Sequence, residues 1–202
     1  MPDTGAPWNI PYVASTDLVS DWPTDSQELA EAIADALDDA GNAGIGTNVV
    51  SATKTSVFTT TSSTPTNVTG LSATITPTSD TSKILIIANL FLSLANTGGD
   101  QSPFARLARG ATGIYIGDAS SNRTQASTMA YVAPGSTSIE LYGYTTSMMY
   151  LDSPATTSAT TYNVQVWRTG GGTVKVGSLS SDQDNDAHGR MPASITVIEV
   201  AA

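Results

Sequence analysis

Between Val49 and Val200 the sequence alternates apolar and polar residues with a period of two, and clusters of Gly, Pro, Ser, Thr and Asn interrupt it at short intervals. That pattern predicts strands near 49–60, 66–76, 83–94, 103–109, 112–117, 126–133, 137–149, 160–168, 172–179 and 192–200. Many short strands with no helical period between them predict an antiparallel β-sandwich of jelly-roll type. Two turns are well marked. Pro134-Gly135 in APGST suits a type II turn between two strands. The glycines of TGGGT (169–173) suit a hairpin between YNVQVWR and VKVGSL.

One strand departs from simple alternation. In KILIIANLFLSL, Ile84, Ile86, Leu90, Leu92 and Leu94 share a face, while Leu85, Ile87 and Phe91 occupy the other. A sandwich strand with one wet side should be polar on that side. SITVIEV repeats the feature, with Ile195 and Val197 set against Ile198 and Val200. One face builds the core; the other needs a further layer, either a sister subunit or a loop or third layer of the same chain. Each fully buried aliphatic side chain is worth about 1.5–3 kcal/mol, so leaving Leu85, Ile87 and Phe91 exposed would forgo several. Self-association through these three is the expectation.

The first 48 residues follow other rules. Residues 1–23 carry Pro2, Pro7, Pro11 and Pro23, each fixing φ and removing a donor, so an extended arm is expected there. The arm is rich in Trp8, Ile10, Tyr12, Val13, Leu18, Val19 and Trp22, whereas free tails are poor in aromatics. Those side chains call for a partner surface, with Trp8, Ile10, Tyr12 and Trp22 as its anchors. A short acidic helix follows over 24–41, its body running from Ser26 to Ala40. Thr24 or Asp25 caps it and Gly41 stops it. Leu29, Ile33 and Leu37 form a narrow stripe, enough for a bundle of identical helices or for docking onto the β-domain but marginal in isolation. Residues 42–48 read as a glycine-rich linker to a β-domain over 49–202.

Charge sharpens the division. Nine acids precede Lys54, the first basic residue, and beyond them 8 basic residues face 9 acidic ones, so nearly all of the net charge of −10 lies in the first 40 residues. That balance, with no basic patch, points away from nucleic acid and anionic membranes. By charge alone, an acidic arm fits either a basic socket on another protein or a merely solvated segment. No apolar run reaches the length of a membrane span, and the N-terminus has no basic-then-apolar leader pattern. Zero cysteines exclude disulfides, and the single histidine, His188, excludes a two-histidine metal centre.

Candidate chemistry is sparse. Asp182, Asp184 and Asp186 in DQDND have the spacing of a calcium loop. Ala187 and Ala193 stand where an EF loop needs Gly and Glu, so a solvated turn is expected. GNAGIG and GATGIYIG lack the strand-to-helix setting of a phosphate cradle. His188 reads as a polar turn residue or an intersubunit hydrogen-bonder. Glu140 and Glu199 show no spacing for paired-carboxylate hydrolysis. No cofactor and no enzymatic activity are expected. Tyr115, Tyr131, Tyr142, Tyr144, Tyr150 and Trp167 could stack on a sugar or anchor a protein, though strand aromatics more often serve the core. The loops 118–124 and 178–189 are where a ligand surface is expected.

The segments SKILIIANLFLSL, FARLARGATGIYIGDASSNRT, LDSPATTSATTYNVQVW, GGGTVKV and DAHGRMPASITVIEV resemble a β-domain found at the C-termini of tail-fibre and other virion proteins of tailed bacteriophages. The opening PWNIPYVASTDLVSDWPTDSQELAEAIADAL is similar to the N-terminal attachment segments of such fibres. The resemblance implies a homotrimer in the virion. Residues 1–40 would dock on another virion protein of the tail, baseplate or capsid. The β-domain would touch a host surface glycan or protein, and no catalytic residues carry over. A head fibre or capsid decoration protein, with no receptor contact, is the alternative it implies.

Overall fold

The computed structural model describes residues 22–42, 48–95, 101–130 and 143–201, with helix side chains described over 26–37. In chain order the elements are α1 (Trp22–Asn42), β1 (Val49–Lys54), β2 (Phe58–Thr60), β3 (Thr66–Ile75), β4 (Lys83–Ala95), β5 (Ser102–Arg109), β6 (Thr112–Ile114), β7 (Thr128–Met129), β8 (Gly143–Asp152), β9 (Thr160–Thr169), β10 (Thr173–Val176) and β11 (Ala193–Val200). Over the described residues the molecule is mainly β, with one helix ahead of a two-sheet antiparallel sandwich.

Sheet I follows the order β1-β11-β4-β10-β2, with β8 on the other edge of β4; sheet II runs β3-β9-β5-β6, with β7 also on β5. Passing from β3 to β4, from β4 to β5, from β7 to β8 and from β8 to β9, the chain changes sheet each time. That alternation is the jelly-roll habit the strand spacing predicts. The core lies between the sheets. Ile84, Ile86, Leu90, Leu92, Ile195 and Val197 of sheet I meet Leu71, Ile75, Leu107, Val164 and Val166 of sheet II, all fully buried.

Several boundaries differ from the expected ones. The helix starts four residues early and runs through Gly41, where an arm residue and a stop were expected. Pro23 fits because the first turn has no use for its missing N–H. Gly41 fits because one glycine near a helix end costs only about 1 kcal/mol. The stretch 49–60 is two strands, since β1 pairs β11 whereas β2 pairs β10. The strand expected over 112–117 ends at Ile114, where Tyr115 turns to φ 52°. β8 runs to Asp152, three residues past its expected end. The APGST turn lies outside the described residues.

TGGGT is not a hairpin. β9 lies in sheet II and β10 in sheet I, so the glycine turn carries the chain across the sandwich. Gly170 and Gly172 take φ 72° and 89°, and a Cβ on Gly172 would strike the Ala95 carbonyl. Turn chemistry specified the backbone angles correctly but not the sheet the next strand would join.

Two polar clusters close one end of the core, built on Asp152 and Glu199, which flank Ile84 from β8 and β11. Asp152 Oδ2 accepts from Tyr162 Oη and from Arg109 Nη1, both at 2.8 Å. Burial first, and then the bond to Asp152, pushes the Tyr162 hydroxyl far above its usual range. Glu199 points inward from β11. Its carboxylate accepts from Thr78 N at 2.7 Å, Thr78 Oγ1 at 2.6 Å and Asn48 Nδ2 at 2.9 Å. Burial alone would raise its pKa, yet these bonds and one from Ser82 outweigh it and hold the group at about 2.

Candidate interaction surfaces

The outward residues of sheet I are fixed by register. Val49 pairs Ile198, Ile198 pairs Leu85, and Leu85 pairs Leu151, so four aliphatics cross the sheet in one row. In the next row Ser51, Thr196, Ile87 and Met149 follow, and farther along Phe91 sits opposite Thr145. Neighbouring strands lie about 4.8 Å apart, so the aliphatic row spans roughly 14 Å. Val49, Met149 and Leu151 are 49%, 61% and 44% exposed, while Leu85, Ile87, Phe91 and Ile198 are half-buried among their neighbours. Phe91 leans over Gly143, where any Cβ would collide with its ring.

The sequence-based reading named Leu85, Ile87 and Phe91 for this face, and the structure brings them together on it. It missed Val49, Met149 and Leu151, the most exposed members. The alternation of Met149 with Leu151 was readable, but a strand ended at residue 149 hid it. Monomeric proteins seldom leave contiguous apolar patches of this kind open to water.

On α1, Leu29 is half-buried and Ile33 and Leu37 are 42% and 66% exposed, so the stripe has little cover among the described residues. Gln27 Nε2 donates to Glu31 Oε1 one turn along at 2.9 Å. No basic residue occupies the last turn to offset the helix dipole. Trp22 lies in the first turn of the helix rather than in an extended arm. Trp8, Ile10 and Tyr12 lie outside the described residues.

The two loops named for ligand contact are self-contained. Asp182 pairs with Arg190 at 3.0 Å, His188 Nδ1 accepts from Gln183 N at 3.2 Å, and Ala187 N donates to the Asn185 side chain. His188 is thus a turn residue. Asp184 and Asp186 are exposed, and no group of three acidic or histidine side chains gathers around an ion site among the described residues. In the other loop Arg123 Nη1 donates to Ser120 Oγ at 2.9 Å. At its root Tyr115 is 47% exposed and stacks on Tyr150 with ring centres 5.3 Å apart. Ser127 Oγ donates to the Tyr115 carbonyl at 2.7 Å and so steadies its positive φ, an unusual angle for a bulky residue. Tyr144 is 50% exposed, whereas Trp167 is buried against Phe104 and under Arg106; Tyr131 and Tyr142 lie outside the described residues.

No protein-family model matches the sequence, and no curated protein is similar to it. Among solved structures it aligns with Eiger TNF from S. frugiperda at 10% identity and a TM-score of 0.34, over 76% of this chain and 94% of that one. A likeness that distant adds nothing to the two-sheet architecture already described.

Proposed function

We propose that the protein is a structural component of a bacteriophage virion. In this reading it is a homotrimeric tail fibre, held to the particle by residues 1–23 and the acidic helix, that meets the host surface through its β-domain. The observation that carries self-association is the apolar row Val49, Ile198, Leu85 and Leu151, continued by Ile87, Met149 and Phe91, on a sheet face with no covering layer among the described residues. The exposed Ile33 and Leu37 of α1 support a helix that completes its packing with sister copies. The virion setting draws its support from the resemblance of the arm and the β-domain segments to phage fibre proteins. Its docking anchors are Trp8, Ile10, Tyr12 and Trp22. Three arms on one trimer would multiply a modest single-arm affinity.

Leu151→Asp tests the assembly cleanly, because Leu151 is already 44% exposed and its loss leaves the core intact. Sedimentation equilibrium of the full chain should give a trimer, and the variant a folded monomer with unchanged β-type circular dichroism. A trimer that survives Leu151→Asp would refute this interface. Deleting residues 1–23 should leave a trimer that no longer joins particles, and undiminished incorporation would refute the attachment role. Labelled full-length protein should adsorb to host cells; if it joins particles yet does not adsorb, it is a head fibre or decoration protein instead.

A further inference from the structure

The outer face of sheet II holds a cleft that the surfaces above do not use. Its floor is β9, where Thr161, Asn163 and Gln165 point outward over roughly 13 Å. Residues 65–67 and 110–111 form its low walls, and the space over the floor, about 590 Å³, lies wide open to solvent. The cleft opens because β3 loses register against β9 between Asn67 and Ser72, with Gly70 at φ 82°. Bulges of this kind commonly re-aim side chains beside binding sites.

Asn163 and Gln165 are only 7% and 6% exposed, although both face away from the core. Asn is depleted in strands, and two amides in succession on a central strand contribute little to packing. Each is pinned. Gln165 Oε1 accepts from Arg106 Nε at 2.8 Å, and Gln165 Nε2 donates to Asn67 Oδ1 at 2.8 Å. Asn163 Nδ2 donates to the Gly110 carbonyl at 3.0 Å, and Thr161 shares a 2.8 Å bond with Thr74. These bonds do not use Asn163 Oδ1 or Asn67 Nδ2. The cleft therefore offers a fixed acceptor and a fixed donor whose orientations are set before any ligand arrives.

The lining selects the ligand. It holds no carboxylate for a cation. An anion would have only Arg106, whose Nε is committed to Gln165 and whose guanidinium lies over Trp167 at 5.7 Å. An apolar ligand would strip water from amides it could not satisfy. A hydroxyl group donates and accepts at one oxygen, so neighbouring hydroxyls can meet the free Asn163 acceptor and the free Asn67 donor. The geometry points to a short neutral saccharide, its hydroxyls bound by Asn163 and Asn67 along the floor of β9. The biological meaning rests on the host-contact reading above; the binding itself does not.

The test follows the side-chain amide resonances of Asn67, Asn163 and Gln165 by NMR in the full chain. The probes are maltotriose, mannotriose and galactotriose, with triglycine and a galacturonic acid trimer as controls. At least one neutral trisaccharide should shift these resonances saturably, and both controls should leave them in place. Ala111→Trp fills the cleft from an exposed wall position outside the amide network. It should weaken binding at least about tenfold with no change in melting temperature. No shift from any neutral trisaccharide, an unaltered affinity in Ala111→Trp, or equal binding of triglycine overturns the assignment. Adsorption to host cells is scored separately: saccharide binding without adsorption upholds the cleft and refutes the host role, and adsorption without saccharide binding does the reverse.

Discussion

Glu199→Gln isolates one buried carboxylate and should cost the β-domain about 3 kcal/mol at neutral pH. Glu199 is 3% exposed and gathers donors from Asn48, Thr78 and Ser82. It thereby ties the entry to β1 and the β3–β4 connection onto β11. Glutamine keeps the shape but turns an N–H₂ toward donors, so at least one bond becomes a donor–donor clash. The magnitude follows from linkage. The folded pKa is about 2 against an ordinary 4.5, and each unit is worth about 1.4 kcal/mol. The folded value is depressed, so the stabilisation is complete above pH about 4.5 and fades as pH falls toward about 2. Urea unfolding of wild type and variant, at one protein concentration and from pH 7 down to pH 2, reads the difference directly. The gap should be largest at pH 7 and shrink through the acid window. A gap that stays constant with pH, or is absent at pH 7, would show that the carboxylate's charge does not hold these segments together.

Other expectations concern single positions. Asp152→Ala strands the buried Tyr162 hydroxyl and should cost about 1–3 kcal/mol by urea unfolding; adding Tyr162→Phe should recover part of that loss. Arg109, with 37% of its side chain exposed, adds little to the penalty. Gly172→Ala forces a positive φ on a residue with a Cβ and drives that atom at the Ala95 carbonyl. A loss of more than about 1 kcal/mol, read as a fall in melting temperature of several degrees, is expected.

Much of the sandwich was legible because the period of two is set by geometry and survives any tertiary arrangement. β4 shows this best: the sequence separates Ile84, Ile86, Leu90, Leu92 and Leu94 from Leu85, Ile87 and Phe91, and the sheet places the two sets on opposite faces. Glu199 was readable only as a strand residue. Its partners Asn48, Thr78 and Ser82 come from distant segments that local patterns cannot bring together. The same holds for the amide cleft. Asn67, Arg106 and Gln165 meet through strand register alone, although the glycine inside NVTGL was a legible sign of a break in the ladder. The TGGGT turn misled for a related reason. A glycine turn satisfies a hairpin and a crossover equally well, and only the long-range pairing of β10 with β4 decides between them.

The pairing of β1 with β11 has a consequence for how the molecule comes into being. As the chain leaves the ribosome, the first strand of the domain must wait, its edge open, until residues 193–200 emerge to slot between it and β4. Late closure of that kind makes folding slow compared with helical proteins. It also leaves the sticky edge of β4 on offer to other nascent chains meanwhile. Copies made side by side on one messenger would then find each other early, an advantage for an assembly and a hazard for a loner.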